Sequence, residues 1–236
     1  MATDTIREQI IAAIATRLAS VLTTKGFNLS SGANVSRASM NPAGIPGLNV
    51  LPQAETAEHI QSAVQHSMVI KVEGRAAHGT TNPSVIAEQL LGDMIEIMTA
   101  ITWTLSFTDG GTYEPQVGDT IEGETGGATG YIEAIQVDSG SWAGGDAAGS
   151  FTLRRLSGTF QAETLKVGAN LDIATIAGPP SGEKAVTTLT SDLADGVRYI
   201  EGGPTDYPEE DDTLTGCSAF FQVNYQTKAG DPYSQP

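Results

Sequence analysis

The chain has 236 residues, 39% hydrophobic and 17% charged, with 27 glycines and 6% aromatics. This composition suits one large or two small folded, soluble domains rather than disorder, and no run approaches the ~20 apolar residues of a membrane span. The formal charge of −16 argues against holding nucleic acid through its phosphates, because that binding relies on Lys and Arg releasing counterions.

The charge is unevenly spread. Residues 1–102 carry 6 basic and 8 acidic side chains, residues 103–190 carry 4 and 11, and residues 191–236 carry 2 and 9. The N-terminus lacks the basic-then-apolar pattern of a signal peptide, so folding in a cytoplasm is expected. Cys217 is the one cysteine, which excludes a disulfide within the chain and a cysteine-based zinc site.

Thr5 opens the first predicted helix, with Thr5-x-x-Glu8 as a capping box. Ile6, Ile10, Ile14, Leu18 and Val21 recur at helical spacing, and Lys25 with Gly26 reads as the stop, about five turns on. Asn34 to Ser39 reads as a short strand. Pro42, Gly44, Pro46, Gly47 and Pro52 then punctuate a loop. Its apolar members Ile45, Leu48, Val50 and Leu51 form either an isolated core strand or a contact arm for a neighbouring subunit. From Gln65 to Arg75, Met68, Ile70 and Val72 alternate with Val69, Lys71 and Glu73, the pattern of a half-buried strand.

Asn82-Pro83 opens a second helix, with Asn as N-cap and Pro at the first helical position, and Ile86, Leu90, Met94, Ile97 and Ile101 as its stripe. Then the pattern changes. Trp103, Leu105 and Phe107 alternate, and from Asp109 onward glycine turns separate short segments such as Tyr131 to Val137 and Ser150 to Leu156. Short strands at regular spacing predict a small all-β barrel or sandwich, with Gly178-Pro179-Pro180-Ser181-Gly182 as its exit linker. After residue 190 the earlier style resumes. Val197 to Glu201 reads as a strand and Gly202-Gly203-Pro204 as a turn. An acidic run, Glu209-Glu210-Asp211-Asp212, leads into the longest alternation in the chain. There Cys217, Ala219, Phe221, Val223 and Tyr225 share one face, and this segment is the expected central strand.

The expected fold class is therefore α+β: a largely antiparallel sheet with two helices packed on it, built from residues 1–102 and 191–236. An all-β domain, residues 103–190, is inserted into it.

Catalytic signatures are missing. Gly140-Ser141-Trp142-Ala143-Gly144 has its serine one place off the nucleophile elbow. Gly178 to Ala185 has neither the glycine spacing nor the hydroxyl of a phosphate loop. His59, His66 and His78 are seven and twelve residues apart, which matches no helical metal pair, and they read as surface or strand-end histidines. The acidic run lacks the alternating ligands of a calcium loop and reads as a solvated turn. Cys217 lies on the same side as Phe221 and Val223 and reads as a small core residue. No catalytic, cofactor or metal residues are expected, and the weight moves to binding or assembly.

Several pieces taken together resemble bacteriophage tail terminator proteins, the lambda-type family that caps the tail tube. They are the opening Ile6-Arg7-Glu8-Gln9-Ile10-Ile11 helix, the strand Val69-Ile70-Lys71-Val72 before an Asn-Pro helix, and Leu193-Ala194-Asp195-Gly196-Val197-Arg198-Tyr199 before Gly-Gly-Pro. The acidic turn follows, then Phe221-Gln222-Val223-Asn224-Tyr225-Gln226-Thr227 and Asp231-Pro232-Tyr233. Gly118-Asp119-Thr120-Ile121, Ser139-Gly140-Ser141-Trp142-Ala143 and Gly158-Thr159-Phe160 look like small β modules found in phage virion proteins.

The resemblance implies a hexameric ring at the head-proximal end of the tail, assembled in the host cytoplasm. Its partners would be the tail tube protein and the head–tail connector or stopper, with DNA passing through the lumen unbound and no membrane involved. Ile45, Leu48, Phe220, Asp231, Pro232 and Tyr233 are the expected subunit or tube contacts. Glu209, Glu210, Asp211 and Asp212 either ring the lumen or form an outer turn. Alternative readings are a head–tail stopper, a tail tube protein, a carbohydrate- or host-binding module, and an enzyme with an unrecognised site.

Overall fold

In the computed structural model, which describes residues 4–37, 44–111, 113–183, 193–205 and 213–236, the chain begins with helix α1, Ile6–Leu18. Strands β1, Val35–Arg37, β2, Gly47–Ile60, and β3, Ala63–Ala77, precede helix α2, Pro83–Thr99. Seven strands follow: β4, Thr102–Gly110, β5, Thr120–Gly123, β6, Thr129–Ser139, β7, Ala147–Ser157, β8, Glu163–Val167, β9, Asn170–Ile176, and β10, Ser181–Glu183. Strands β11, Gly196–Thr205, and β12, Leu214–Lys228, complete the order. Two units result: Met1–Thr23, Phe27–Thr99 and Ala185–Pro236 form the first, and Thr24–Gly26 with Ala100–Lys184 the second.

In the first unit five strands pair in the order β1-β2-β3-β12-β11, antiparallel except for β1 with β2. The alternation read in the sequence sets the inner face. Cys217, Ala219, Phe221, Val223 and Tyr225 are buried, and Ala219, Phe221 and Val223 lie opposite Val72, Ile70 and Met68. Each such large side chain contributes roughly 1.5–3 kcal/mol by leaving water. The last strand, expected as the central one from its long alternation, is not in the middle; that place belongs to β3. Two strands add beyond β3 on one side, but only β11 adds beyond β12.

Both helices pack on this inner face and share its core, which makes a two-layer α+β unit. Thr5 Oγ1 accepts the Glu8 N–H at 3.2 Å, as the cap predicts. The helix is shorter than its apolar spacing suggested, 13 residues ending at Leu18. Val21 reaches the same core from the turn that follows, so the apolar period outlasts the helix. Lys25 closes a separate 3-10 turn, Thr23–Lys25. In α2, Asn82 Oδ1 accepts the Ser84 N–H at 3.0 Å, and Ile86, Leu90, Met94 and Ile97 are buried. Ile101, expected to end that stripe, lies past the helix and is 49% exposed. Gly74 of β3 packs under α2, where a Cβ would sit 2.6 Å from Leu90 Cδ2. Asp93 of α2 is buried and accepts the Asn28 and Leu29 amides at 3.1 and 3.0 Å and Asn28 Nδ2 at 2.7 Å. Burial raises its pKa above the ordinary value even with these bonds.

Four local expectations change. The segment read as a loop with an isolated strand is the 14-residue β2, and its Pro52 sits at a register shift. Leu48, expected at a subunit contact, is fully buried in the core because it points to the helix face. The strand expected over Asn34 to Ser39 is present as Val35–Arg37, and residues 38 and 39 lie outside the described ones. Gly202, Gly203 and Pro204, expected to turn, continue β11 opposite Ala219, Ser218 and Cys217. An edge strand accommodates proline because its outer side needs no donor.

In the second unit the strands run β10-β4-β7-β6-β5-β8-β9, all antiparallel. Thr108 of β4 also pairs with Thr175 of β9, so six strands close on themselves as a barrel. Its core includes Ile121, Ile132, Leu153, Phe160 and Leu165, and Phe107 stacks on Phe151 at 4.3 Å and on Trp142 at 5.2 Å. Glu163, also buried, accepts the amides of Thr125 and Gly126 at 2.8 and 2.7 Å and of Gln161 at 3.2 Å. Burial would raise its pKa, but these donors outweigh it and hold the carboxyl below its ordinary value. The expected exit linker is partly strand: Ser181 and Gly182 belong to β10, and Gly182 is required because a Cβ there would overlap the Trp103 ring.

No sequence pattern placed Thr24–Gly26 in this unit. Arg155 Nη1 donates to the Gly26 carbonyl at 3.2 Å, and Arg154, 1% exposed, donates to the Lys25 carbonyl.

Candidate functional site

The helices cover one face of the five-stranded sheet; side chains on the other face point away from that core. Strand alternation puts Ser67, Val69, Lys71 and Glu73 of β3 there, beside Phe220, Gln222 and Asn224 of β12. Phe220 lies opposite Lys71, whose Nζ is 5.7 Å from the ring centroid and 2.5 Å from Glu73 Oε1. Gln222 organises the polar part. Its Nε2 donates to Ser67 Oγ at 2.7 Å and Asn224 Oδ1 at 3.1 Å, and its Oε1 accepts from Arg198 Nη2 at 2.8 Å. Beside it is a shallow groove of about 410 Å³ lined by Thr56, Ala57, Glu58, Gln65, His66, Ser67, Gln222 and Asn224. Amides and hydroxyls at this density offer hydrogen bonds to a docked surface. They supply no apolar floor of the kind that holds most small molecules.

A second cluster links four elements at the edge of the core. Glu55 of β2 meets His66 Nδ1 at 2.8 Å, accepts Arg7 Nε of α1 at 2.9 Å, and accepts the Tyr225 hydroxyl at 3.1 Å on each oxygen. His66 Nε2 is 2.9 Å from Thr227 Oγ1, and its ring stacks on Tyr225 at 4.6 Å. Hydroxyl, imidazole and carboxylate stand in the order of a nucleophilic relay. Thr227 is only 5% exposed, so its hydroxyl is not presented to a substrate. The cluster instead orients Glu55 to hold helix and sheet together. Burial, then the Glu55 charge and its hydrogen bond, raise the Tyr225 phenol above its ordinary pKa.

Spacing rules could not find this cluster, because the partners of His66 are 11 and 161 residues away. One signal was present. His66 shares the face of Met68 and Ile70, and an inward polar side chain needs partners.

The six expected contact residues do not form one patch. Leu48 and Phe220 point to opposite faces of the sheet. Ile45 and Tyr233 are 48% and 51% exposed. Asp231, Pro232 and Tyr233 share one turn that closes on the first helix: the Ile6 N–H donates to the Pro232 carbonyl at 3.0 Å, and the Tyr233 N–H to Asp231 Oδ1 at 3.0 Å. Pro232 thus satisfies an amide that the helix itself leaves unpaired. Hydrogen bonds from the Ser234 side chain and the Tyr233 amide lower the Asp231 pKa. Glu209, Glu210, Asp211 and Asp212 lie outside the described residues.

Burial, with the charges of Glu88 and Asp93, pushes the Cys217 thiol up to about 12, so it stays protonated in the core. Among the described residues no three His, Cys, Asp or Glu side chains are grouped to hold a metal, and no helix is long and apolar enough to cross a membrane.

These features define the class: a two-layer α+β unit with a half-polar open sheet face, joined in one chain to a closed β barrel. Comparison with protein-family models finds no match, and neither does comparison with curated proteins.

Proposed function

We propose that the protein is a structural subunit of a phage virion, a tail terminator that forms a ring at the head-proximal end of the tail tube. There it stops tube polymerisation and offers a docking surface to the head connector or stopper. The observation that carries this reading is the order of elements in the first unit. An opening helix, an Asn-Pro helix after a central strand, and a long last strand followed by an Asp-Pro turn combine with one five-stranded sheet in that unit.

The charge agrees with the role. A chain at −16 does not hold passing DNA by its phosphates. The ring is a homo-hexamer, its first partner is the tube protein, and it resides in the virion after assembly in the host cytoplasm.

Electron microscopy of virions labelled through this protein tests the reading. One labelled band at the neck is expected. Label along the whole tail would make it a tube protein, and polymerisation of the purified chain into long tubes would do the same.

A further inference from the structure

We propose that Thr24–Gly26 is a clasp, a segment that the barrel grips and can release while both units stay folded. The proposal is independent of the ring reading.

The grip begins with an irregularity in β7. Between the pairs Arg154–Tyr131 and Ser157–Thr129, β7 holds one residue more than β6. Arg155 stands in that bulge with φ at 51°, the left-handed conformation that such a bulge ordinarily gives to glycine. A long side chain there is strained. Consecutive side chains on a regular strand point to opposite faces. Here both arginines reach one segment: Arg154 donates to the Lys25 carbonyl and Arg155 to the Gly26 carbonyl. Both guanidinium groups also lie over the Tyr131 ring, at 4.5 and 5.7 Å from its centroid. Gly26 fits against that ring, where a Cβ would overlap the Tyr131 hydroxyl.

The gripped segment is built to let go. It buries no apolar side chain: Thr24 is exposed, and Lys25 and Gly26 are half-buried. On either side of it Val21 and Phe27 are buried in the core of the first unit. The Phe27 N–H donates to the Leu22 carbonyl at 3.3 Å and closes the neck of the loop. Segments with few buried apolar contacts are the ones that open locally, and here the opening ends at two apolar anchors. The grip also carries two costs. Arg155 is held in a strained conformation, and Arg154 keeps a guanidinium charge only 1% exposed. Release returns that charge toward water, which offsets part of the lost bonds.

Limited trypsin digestion of the full chain over a urea series, with the cut after Lys25 followed by mass spectrometry, tests this. In the wild type the rate of that cut should be nearly independent of low urea, because opening a few residues exposes little surface. Arg154→Met and Arg155→Gly each remove a bond to the segment and should speed the cut by about three- to tenfold. Glycine relieves the left-handed strain at position 155, so the unfolding midpoint of Arg155→Gly should stay near that of the wild type. If Arg154→Met disturbs the barrel, Arg155→Gly decides the matter. A folded Arg155→Gly chain cut at the wild-type rate overturns the proposal. So does an Arg155→Gly chain that fails to fold, since the arginine would then serve the barrel itself. A wild-type cut that rises with urea as steeply as global unfolding overturns it too, because the segment would open only with its unit.

Discussion

Thr102 and Glu183 lie opposite each other on antiparallel strands, so the chain enters and leaves the barrel side by side. Replacing residues 106–187 by a short Gly/Ser linker is therefore expected to leave a folded first unit with a cooperative transition. The replacement removes Arg154 and Arg155, which hold the Lys25 and Gly26 carbonyls, at a cost of about 1–3 kcal/mol. Thermal unfolding followed by far-ultraviolet circular dichroism checks this. Aggregation with loss of helical signal would show that the first unit needs the barrel.

Phe221 is fully buried between the sheet and the helices, and Tyr199 tilts against its ring at 5.8 Å. Phe221→Ala should cost about 3–5 kcal/mol in urea unfolding. Against a total of roughly 5–15 kcal/mol, that lowers the folded yield. Phe220→Ser, on the other face, should cost well under half as much. Equal losses would mean that the two faces are equally buried.

Glu55 receives bonds from three residues on α1, β3 and β12, so Glu55→Ala should cost about 1.5–3 kcal/mol, and Tyr225→Phe about 1 kcal/mol. A double-mutant cycle between the two sites should give less than the sum, because they share one interaction. The alkaline limb has a defined sign. The folded phenol of Tyr225 has a raised pKa, so its contribution to stability is complete below the ordinary value of about 10 and is lost as the pH rises through the folded value. Ultraviolet titration of phenolate in the wild type and in Tyr225→Phe isolates that residue. Ionisation of Tyr225 together with exposed tyrosines would contradict the buried contact.

Glu163 works in the opposite direction. Its folded pKa is lowered, so its contribution is present above the ordinary carboxylate value of about 4.3 and is lost as the pH falls through the lower folded value. Glu163→Ala leaves the Thr125, Gly126 and Gln161 amides without their acceptor and should destabilise the barrel by about 2–3 kcal/mol at neutral pH. The gap between wild type and variant should narrow in strong acid, and guanidinium unfolding at several pH values measures it. A gap independent of pH would assign the effect to lost packing.

The sequence by itself determined the local structure and the fold class: two capped helices, with one face of β3 and β12 dictated by alternation at Met68, Ile70, Phe221 and Val223. Those features depend on neighbours within a few residues, where side-chain period and capping chemistry act. Tertiary structure decided what depends on distant partners. The end of α1 at Leu18 was hidden because Val21 continues its apolar period from a turn, and Leu48 proved a core residue only because β2 pairs with β3. Barrel closure through Thr108 and Thr175, the place of Thr24–Gly26, and the four elements meeting at Glu55 all join residues far apart in the chain. No local propensity encodes such pairings; they exist only once loops have closed and brought the partners within hydrogen-bonding distance.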